Sequence, residues 1–172
     1  VSSAASDVYK RQFLFCEDMG AEPVPVLAAG VPCQNSGTCA HHSKDELTCM
    51  GQQGGIPMEE MDQYIQDVLD LIEYANGDAR KTVWGKKRAE AGHPKPFNLK
   101  FIGIGNEDMI TPVFVERFKM IFDAVKAKHP EVTVIGTTGP FYEGTDYEVG
   151  WDLATELGVP MVDEHYYVEP GW

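Results

Sequence analysis

The sequence has few basic residues and no long apolar run, and each absence argues against a class of partner. The 172 residues include 14 Lys and Arg against 27 Asp and Glu, so the formal net charge is −13. Because no basic cluster could follow a phosphate backbone, we expect no nucleic-acid partner. The longest apolar run, residues 24–31, is interrupted by Pro25 and Gly30. It is far shorter than the roughly 18 residues needed to cross a bilayer, so no membrane span is expected.

Cysteine is also scarce, with four residues at uneven spacing, which argues against a disulfide framework. Cys16 lies in a helical pattern and is expected to be buried. The other three share a loop with two histidines, namely Cys33, Cys39, Cys49, His41 and His42. Paired metal-ligand spacing is missing, so a zinc site is disfavoured and no metal or cofactor is expected. A Cys33–Cys39 disulfide and free thiols both remain open.

The first twelve residues differ from the rest of the chain. Residues 1–12 are small and polar, have no amphipathic period, and lack both an initiator methionine and the apolar stretch of a signal peptide. We interpret them as a non-native leader and residues 13–172 as the globular part. Any signal peptide is expected upstream of the printed sequence, which leaves the compartment unknown. A composition of 43% hydrophobic and 10% aromatic residues suits a soluble protein with one core.

From residue 13 onward, helical and strand-like patterns alternate. Helices are predicted over residues 13–19, 57–76, 111–129 and 147–157, and strands over 22–29, 99–105, 132–136 and 159–166. Residues 31–55 are predicted to form a long loop, and residues 78–96 a polar connector. Strands separated by helices predict right-handed crossovers and a parallel sheet, which is the α/β class.

Two parallel architectures fit this order: an open doubly wound sheet and part of a (β/α)8 TIM barrel. The doubly wound alternative would usually carry a glycine-rich phosphate loop, and the sequence has none. Polar residues instead follow several strands, at positions 106–107, 137–138 and 165–167. Several strand ends that feed one site favour the barrel. With about four of the eight strands that a barrel needs, the chain is expected to be an internal fragment of one.

Glu107 is the first candidate for chemistry, because it follows a strand with small residues at its end. Desolvation there can raise the pKa of the carboxyl and suit it to general acid catalysis. The neighbouring Asn106 amide both donates and accepts, which suits a sugar hydroxyl. The alternative is that Asn106 and Glu107 simply cap the next helix.

A second cluster occupies residues 163–172 after the last predicted strand. It combines acids, an imidazole and aromatic rings, which suit the faces and hydroxyls of a carbohydrate. The alternative is an aromatic rim that only packs the mouth of a barrel.

These residues carry a family resemblance. The segment 103–108 resembles the Gly-Asn-Glu strand end of the family 51 glycoside hydrolases, the α-L-arabinofuranosidases. Further similar runs follow the family's order, at residues 15–23, 70–78, 92–100 and 163–167. The resemblance covers residues 13–172, leaves residues 1–12 unmatched, and implies strands two or three through six of the catalytic barrel.

The resemblance also implies roles for individual residues. Glu107 would be the acid/base, Asn106 would hold the arabinose 2-hydroxyl, and His165 and Tyr167 would line the sugar subsite. The family's nucleophile is a glutamate after strand seven, which this chain lacks, and Glu164 lies on the wrong strand to replace it. The chain alone is therefore expected to be inactive.

The complete enzyme would remove terminal arabinofuranosyl residues from arabinose-containing plant oligo- or polysaccharides by a retaining double displacement, and it could be a homo-oligomer. Two alternatives remain open: another Asn-Glu barrel glycosidase of xylanase or glucanase type, and a non-catalytic carbohydrate-binding fragment.

Overall fold

The computed structural model describes residues 3–32 and 55–172. Within them, four parallel strands form one sheet in the order β1-β2-β3-β4, each strand pairing with the next along the chain. These strands are β1 (Val26–Leu27), β2 (Phe101–Ile104), β3 (Thr133–Thr137) and β4 (Met161–Asp163). The predicted α/β class and parallel sheet are confirmed.

Helices connect or precede these strands. They are α1 (Ser3–Met19), a 3-10 turn (Met58–Glu60), α2 (Met61–Asn76), α3 (Val83–Glu90), α4 (Pro112–Lys128) and α5 (Thr145–Leu157). None of the helices in the described part of the chain is long and apolar enough to cross a bilayer.

Helix α4 shows how local sequence produces the predicted elements. The Thr111 side chain caps its start by accepting a hydrogen bond from the Phe114 N–H at 3.3 Å, and Pro112 occupies the first turn. Phe114, Phe118 and Phe122 then recur at a spacing of four and stack with centroid distances of 5.5 and 6.1 Å. This aromatic stripe is buried in the core, so the predicted helix is confirmed.

The first and last strands are shorter than predicted because proline and a helix cap interrupt the hydrogen-bond ladder. In the predicted strand 22–29, Pro23 and Pro25 have no N–H, and two residues remain as β1. In the predicted strand 159–166, the Val159 N–H bonds to the Ala154 carbonyl at the end of α5, and Pro160 has no N–H. The ladder of β4 therefore begins at Met161.

The predicted polar connector over residues 78–96 is wrong, because it contains α3. The helix has no apolar stripe and carries a glycine, so it lacks the periodic signal of a helix. Instead, the Thr82 hydroxyl caps it by accepting from the Gly85 N–H at 3.1 Å. The residue that anchors it is Arg88, whose side chain is fully buried.

The N-terminal helix also departs from the prediction. It begins at Ser3 rather than at residue 13, so the predicted boundary after residue 12 falls inside α1. Tyr9 lies against Phe13, and Phe13 packs on Phe97 at 5.1 Å between centroids. Cys16 is half-buried with a free thiol rather than buried. The loop with Cys33, Cys39, Cys49, His41 and His42 lies outside the described residues, so its alternatives stay predictions.

Candidate active site

The carboxyl ends of β2, β3 and β4 meet at one edge of the sheet. The Asp163 carbonyl, at the end of β4, accepts hydrogen bonds from the Thr138 N–H at 3.2 Å and from the Thr138 hydroxyl at 2.9 Å. Thr138 follows β3, so these bonds hold the two strand ends together. Because parallel strands end at the same edge of a sheet, the side chains that follow these three strands can contact one another.

Glu107 lies at the centre of this edge, and its side chain is 6% exposed. Its Oε1 atom lies 2.7 Å from His165 Nδ1, and it also accepts a hydrogen bond from the Tyr167 hydroxyl. An ionised carboxylate only accepts, so Nδ1 carries the hydrogen in this pair. Three of the four predicted site residues thus contact one another, although His165 and Tyr167 lie 58 and 60 positions from Glu107.

The other ring nitrogen of His165 faces a second carboxylate, with Nε2 at 3.3 Å from Asp163 Oδ2. Burial lowers the pKa of His165, but the hydrogen bonds and negative charges of Glu107 and Asp163 outweigh it and raise the pKa above 6.5. Asp163 was not a predicted site residue. The available signal was its place two positions before His165 in the predicted strand over residues 159–166, where alternate residues share one face.

The pKa of Glu107 is lowered below its usual 4.5, mainly by the hydrogen bond from Tyr167 and then by that from His165. The prediction that desolvation raises this pKa is therefore wrong for the chain as folded here. Burial does act in that direction, but two donors on one oxygen stabilise the charged form more than burial opposes it. The donors lie just after β4, 58 and 60 residues along the chain, so the local sequence around Glu107 did not indicate them.

Asn106 and Glu107 form a tight turn rather than a helix cap. Glu107 has a positive φ of 54°, a conformation that few non-glycine residues adopt. The Asp108 carboxylate, almost fully buried, accepts a hydrogen bond from the Asn106 N–H at 2.8 Å. Because the cap of α4 is Thr111, the helix-cap alternative is wrong. Asn106 lies exposed beside Glu107.

Gly105 makes this turn possible. Its φ is +89°, and a Cβ atom there would lie 2.6 Å from Asp108 Oδ2 and 2.8 Å from Thr137 Cγ2. We expect Gly105→Ala to lower the free energy of unfolding by about 2–3 kcal/mol, since backbone strain and overpacking add. Denaturant unfolding, with the NMR signals of Glu107 as a local probe, would measure both effects.

The matched control is Gly92→Ala. Gly92 has a similar φ of +95° but no atom within 4 Å of an added Cβ, so strain alone should cost about 1–2 kcal/mol. If Gly105→Ala and Gly92→Ala lower the free energy of unfolding equally, the close contacts at Gly105 do not affect stability.

Glu164 points to a different set of partners. Its Oε1 accepts from the Tyr147 hydroxyl at 2.9 Å and the Trp151 Nε1–H at 2.8 Å, and its Oε2 accepts from the Tyr166 hydroxyl. The hydrogen bond from Tyr166 is the largest cause that lowers the pKa of Glu164. The same hydrogen bond raises the pKa of Tyr166 to about 12. These contacts hold Glu164 toward α5 and give no support to a nucleophilic role.

One aromatic residue of this cluster contacts the buried acid, because the Tyr167 hydroxyl donates a hydrogen bond to the Glu107 carboxylate. This contact supports a place for Tyr167 in the site. The alternative that the other aromatic rings only pack the mouth of a barrel stays a prediction. In the part of the chain that the structure describes, no group of three His, Cys, Asp or Glu side chains could hold a metal ion.

Parallel strands in sequential order, whose carboxyl ends gather a buried acid, an imidazole and a phenol, are typical of part of a (β/α)8-barrel enzyme, with four strands in the described residues. Comparison with known proteins agrees: the family model described as the α-L-arabinofuranosidase 1 domain matches residues 9–172. The chain belongs to this α-L-arabinofuranosidase family. The predicted family and fold class are confirmed, although residues 9–12, predicted to match nothing, lie within the match.

Two curated relatives show the extent of the similarity. The chain is 42% identical over 165 residues to an extracellular exo-α-L-arabinofuranosidase of Streptomyces chartreusis, covering 95% of this chain. It is 32% identical over 139 residues to α-L-arabinofuranosidase 1 of Arabidopsis thaliana, covering 78% of this chain. The chain spans 18% of the length of each relative, as expected for a fragment of a glycoside hydrolase.

Solved structures agree on the fold. An arabinose-bound family 51 α-L-arabinofuranosidase aligns with a TM-score of 0.56 at 28% identity, over 74% of this chain and 18% of that one. A family 51 α-L-arabinofuranosidase from Bifidobacterium longum aligns with a TM-score of 0.61 over 92% of this chain and 28% of that one. At 17% identity, the second alignment bears on the fold alone.

Proposed function

We propose that this chain supplies the acid/base part of a retaining α-L-arabinofuranosidase that removes terminal arabinofuranosyl residues from plant polysaccharides. The observation that supports the proposal most is the contact of Glu107 Oε1 with His165 and Tyr167 at the carboxyl edge of a parallel sheet. Membership of the family supports the substrate class.

In the first step of this mechanism, neutral Glu107 donates its proton to the glycosidic oxygen while a carboxylate outside this chain attacks the anomeric carbon. The bond from the anomeric carbon to the leaving oxygen breaks, and an ester to the enzyme forms. In the second step, Glu107 takes a proton from water, whose oxygen attacks the anomeric carbon and releases arabinose. Retention requires the two carboxyls to be about 5–5.5 Å apart.

The contacts of Glu107 suit the second step. Hydrogen bonds from Tyr167 and His165 lower the pKa of Glu107, which favours the ionised base. A free nucleophile carboxylate nearby would raise that pKa by like-charge repulsion and keep Glu107 protonated for the first step. When the nucleophile becomes an ester, its negative charge is lost. The hydrogen bonds to Glu107 Oε1 then lower the pKa of Glu107 again, so that its ionised form can act as the base.

The remaining roles follow from position. Glu107 Oε1 already accepts two hydrogen bonds, so we assign the transferred proton to Oε2. Asn106 lies exposed beside Glu107, where its amide would bind the arabinose 2-hydroxyl. His165 and Tyr167 would line the same subsite while they hold Glu107 in place.

The charge state of His165 can be tested without activity. We expect its NMR titration midpoint to lie above 6.5 and to fall in the Glu107→Gln variant, because a neutral amide no longer favours the imidazolium while burial still opposes it. This pair should stabilise the fold between the ordinary pKa values of 4.5 and 6.5. Stability is lost as pH falls through the lowered pKa of Glu107, or rises through the raised pKa of His165.

Circular dichroism of both proteins checks that the Glu107→Gln variant is folded. If the titration midpoint of His165 does not change in Glu107→Gln, the Glu107 carboxylate does not raise the pKa of His165.

The 172-residue chain by itself is expected to release no aryl alcohol from an aryl α-L-arabinofuranoside, since double displacement without its nucleophile has no main route. The assay is spectrophotometric release of nitrophenol from the purified chain. Turnover that disappears in Glu164→Gln would instead identify a nucleophile within the chain.

The substrate class is tested on a full-length protein that contains this segment. We expect hydrolysis of an aryl α-L-arabinofuranoside and little hydrolysis of the aryl β-xyloside or β-glucoside. A preference for either β-glycoside would replace the proposal by the xylanase or glucanase alternative. Failure to hydrolyse all three, together with binding of oligosaccharides, would favour a carbohydrate-binding function.

A further inference from the structure

We propose that Asp163 is a positioning residue of the acid/base group, which holds the His165 ring as a charged bridge between two carboxylates and acts on Glu107 through that ring. The contacts that support the bridge do not depend on the substrate. Its consequence for catalysis rests on the proposed function, and extends it to a residue that acts through another side chain.

The His165 ring lies between the two carboxylates. Its Nδ1 atom is 2.7 Å from Glu107 Oε1, and its Nε2 atom is 3.3 Å from Asp163 Oδ2. Ionised carboxylates only accept hydrogen bonds, and a neutral imidazole carries a hydrogen on one nitrogen alone. The protonated ring, with a hydrogen on both nitrogens, is therefore the form that donates to both carboxylates at once.

Asp163 is fixed to the sheet more firmly than the ring that it contacts. It is the last residue of β4 and pairs with Thr137 of β3. Its carbonyl oxygen also accepts hydrogen bonds from the N–H and the hydroxyl of Thr138. His165 lies beyond the strand, in a segment without regular secondary structure. The contact with Asp163 therefore ties the His165 ring to the sheet and fixes its orientation toward Glu107.

The hydrogen bonds of the Asp163 carboxylate give it no structural role apart from this contact. Among the described residues, its Oδ2 atom contacts His165, whereas its Oδ1 atom is buried and has no hydrogen-bond partner. A buried oxygen without a donor lowers stability. The neighbouring Glu164 differs, because its carboxylate accepts from three donors. Folding alone thus gives no reason for an acid at position 163, and the contact with His165 supplies one.

The charges around the bridge set the direction of the expected effects. The titratable groups that face His165 are Glu107, Asp163 and Tyr167, whose ring centroid is 6.5 Å away. Burial lowers the pKa of His165, and the two carboxylates more than reverse this effect. The hydrogen bond from Tyr167, and then that from His165, lower the pKa of Glu107. Without the charge of Asp163, His165 should titrate at lower pH and Glu107 at higher pH.

The test is an NMR titration of the 172-residue chain, followed at the ring nitrogens of His165 and at the carboxyl carbon of Glu107. Asp163→Asn keeps the size of the side chain and an acceptor oxygen but removes the charge. We expect it to lower the titration midpoint of His165 and to raise that of Glu107. Asp18→Asn, at an exposed position near the end of α1, is the matched control and should change neither midpoint.

The His165→Gln background separates action through the ring from direct repulsion between the two carboxylates. In that background, Asp163→Asn should leave the midpoint of Glu107 unchanged, because the bridge is absent. An unchanged midpoint of Glu107 in Asp163→Asn alone, or an equal shift in both backgrounds, would overturn the proposal.

A measurement on the wild type decides if circular dichroism shows that Asp163→Asn is unfolded. The carboxyl carbon signals of Glu107 and Asp163 should both show an inflection at the pH where His165 loses its proton, because the ring contacts both groups. A missing inflection at either carboxyl would show that the bridge does not exist.

The consequence for catalysis is tested in a full-length enzyme that contains this segment. Asp163→Asn should lower kcat about tenfold, since a ring held at one nitrogen orients Glu107 less well. It should also move the alkaline limb of the pH profile of kcat/KM to higher pH, because that limb reports the loss of the proton from the acid. A lower kcat with an unchanged limb would indicate a merely structural role and overturn the proposal. If the enzyme hydrolyses no arabinofuranoside, the proposed function fails, while the titrations still decide whether the bridge exists.

Discussion

Arg88→Met is expected to lower the free energy of unfolding by about 3–5 kcal/mol, because it removes every hydrogen bond that the buried guanidinium donates. The Arg88 guanidinium is fully buried and donates to five carbonyl oxygens at distances of 2.6–3.2 Å. These oxygens belong to Tyr74, Ala75, Gly77, His93 and Pro94. Three of them, those of Tyr74, Ala75 and Gly77, lie at or just after the end of α2, so Arg88 donates to carbonyls that have no partner within the helix. Thermal or urea unfolding followed by circular dichroism would measure the loss.

Two variants make this prediction specific. Arg80→Met removes the same charge and a similar volume from an exposed position, and it should change stability by less than about 0.5 kcal/mol. Arg88→Lys keeps the charge but not the planar fork, so it should recover little of the loss. If Arg88→Met and Arg80→Met unfold at the same denaturant concentration, the buried network contributes nothing to stability.

In a full-length enzyme that contains this segment, Glu107→Gln is expected to lower kcat about 10²–10⁴-fold on substrates with poor leaving groups, because the amide cannot donate a proton to the departing oxygen. An aryl glycoside with an acidic phenol needs little protonation, so its first step should be partly spared. The second step still lacks a base, and the glycosyl-enzyme ester should accumulate. Steady-state kinetics over a series of phenol leaving groups would show a steeper dependence on leaving-group pKa.

The matched control is Glu90→Gln, which neutralises an exposed carboxyl at the end of α3, outside the site, and should leave kcat unchanged. Equal losses on good and poor leaving groups in Glu107→Gln would contradict the acid role. A loss that appears only in KM would indicate that Glu107 binds the sugar without transferring a proton.

Periodic apolar patterns made most of the fold predictable. The stripes of α2 and α4 and the short β-branched runs of β2 and β3 have local signals, because burial repeats every three to four residues in a helix. Helix α3 had no such signal. Its buried residue is an arginine that depends on carbonyls up to 14 positions away, and no local pattern identifies those partners.

The site was predictable to a similar degree. A glutamate after a glycine-containing strand, together with a polar run after the last strand, predicted which side chains would matter. Their charge states could not be predicted, because the two donors to Glu107 belong to the segment after β4, 58 and 60 residues away. The sequence placed Glu164 next to His165 but on the wrong strand for a nucleophile, and only the structure shows that its carboxylate accepts from Tyr147, Trp151 and Tyr166.

The sequence by itself determined the α/β class, the family and the identity of Glu107, Asn106, His165 and Tyr167 as candidates, because these depend on local patterns and on residue types at particular positions. The tertiary structure alone decided that Glu107 is held as a carboxylate by His165 and Tyr167. The physical reason is that a pKa depends on the donors and charges within a few ångströms in space, and parallel strands bring those groups together from distant parts of the chain.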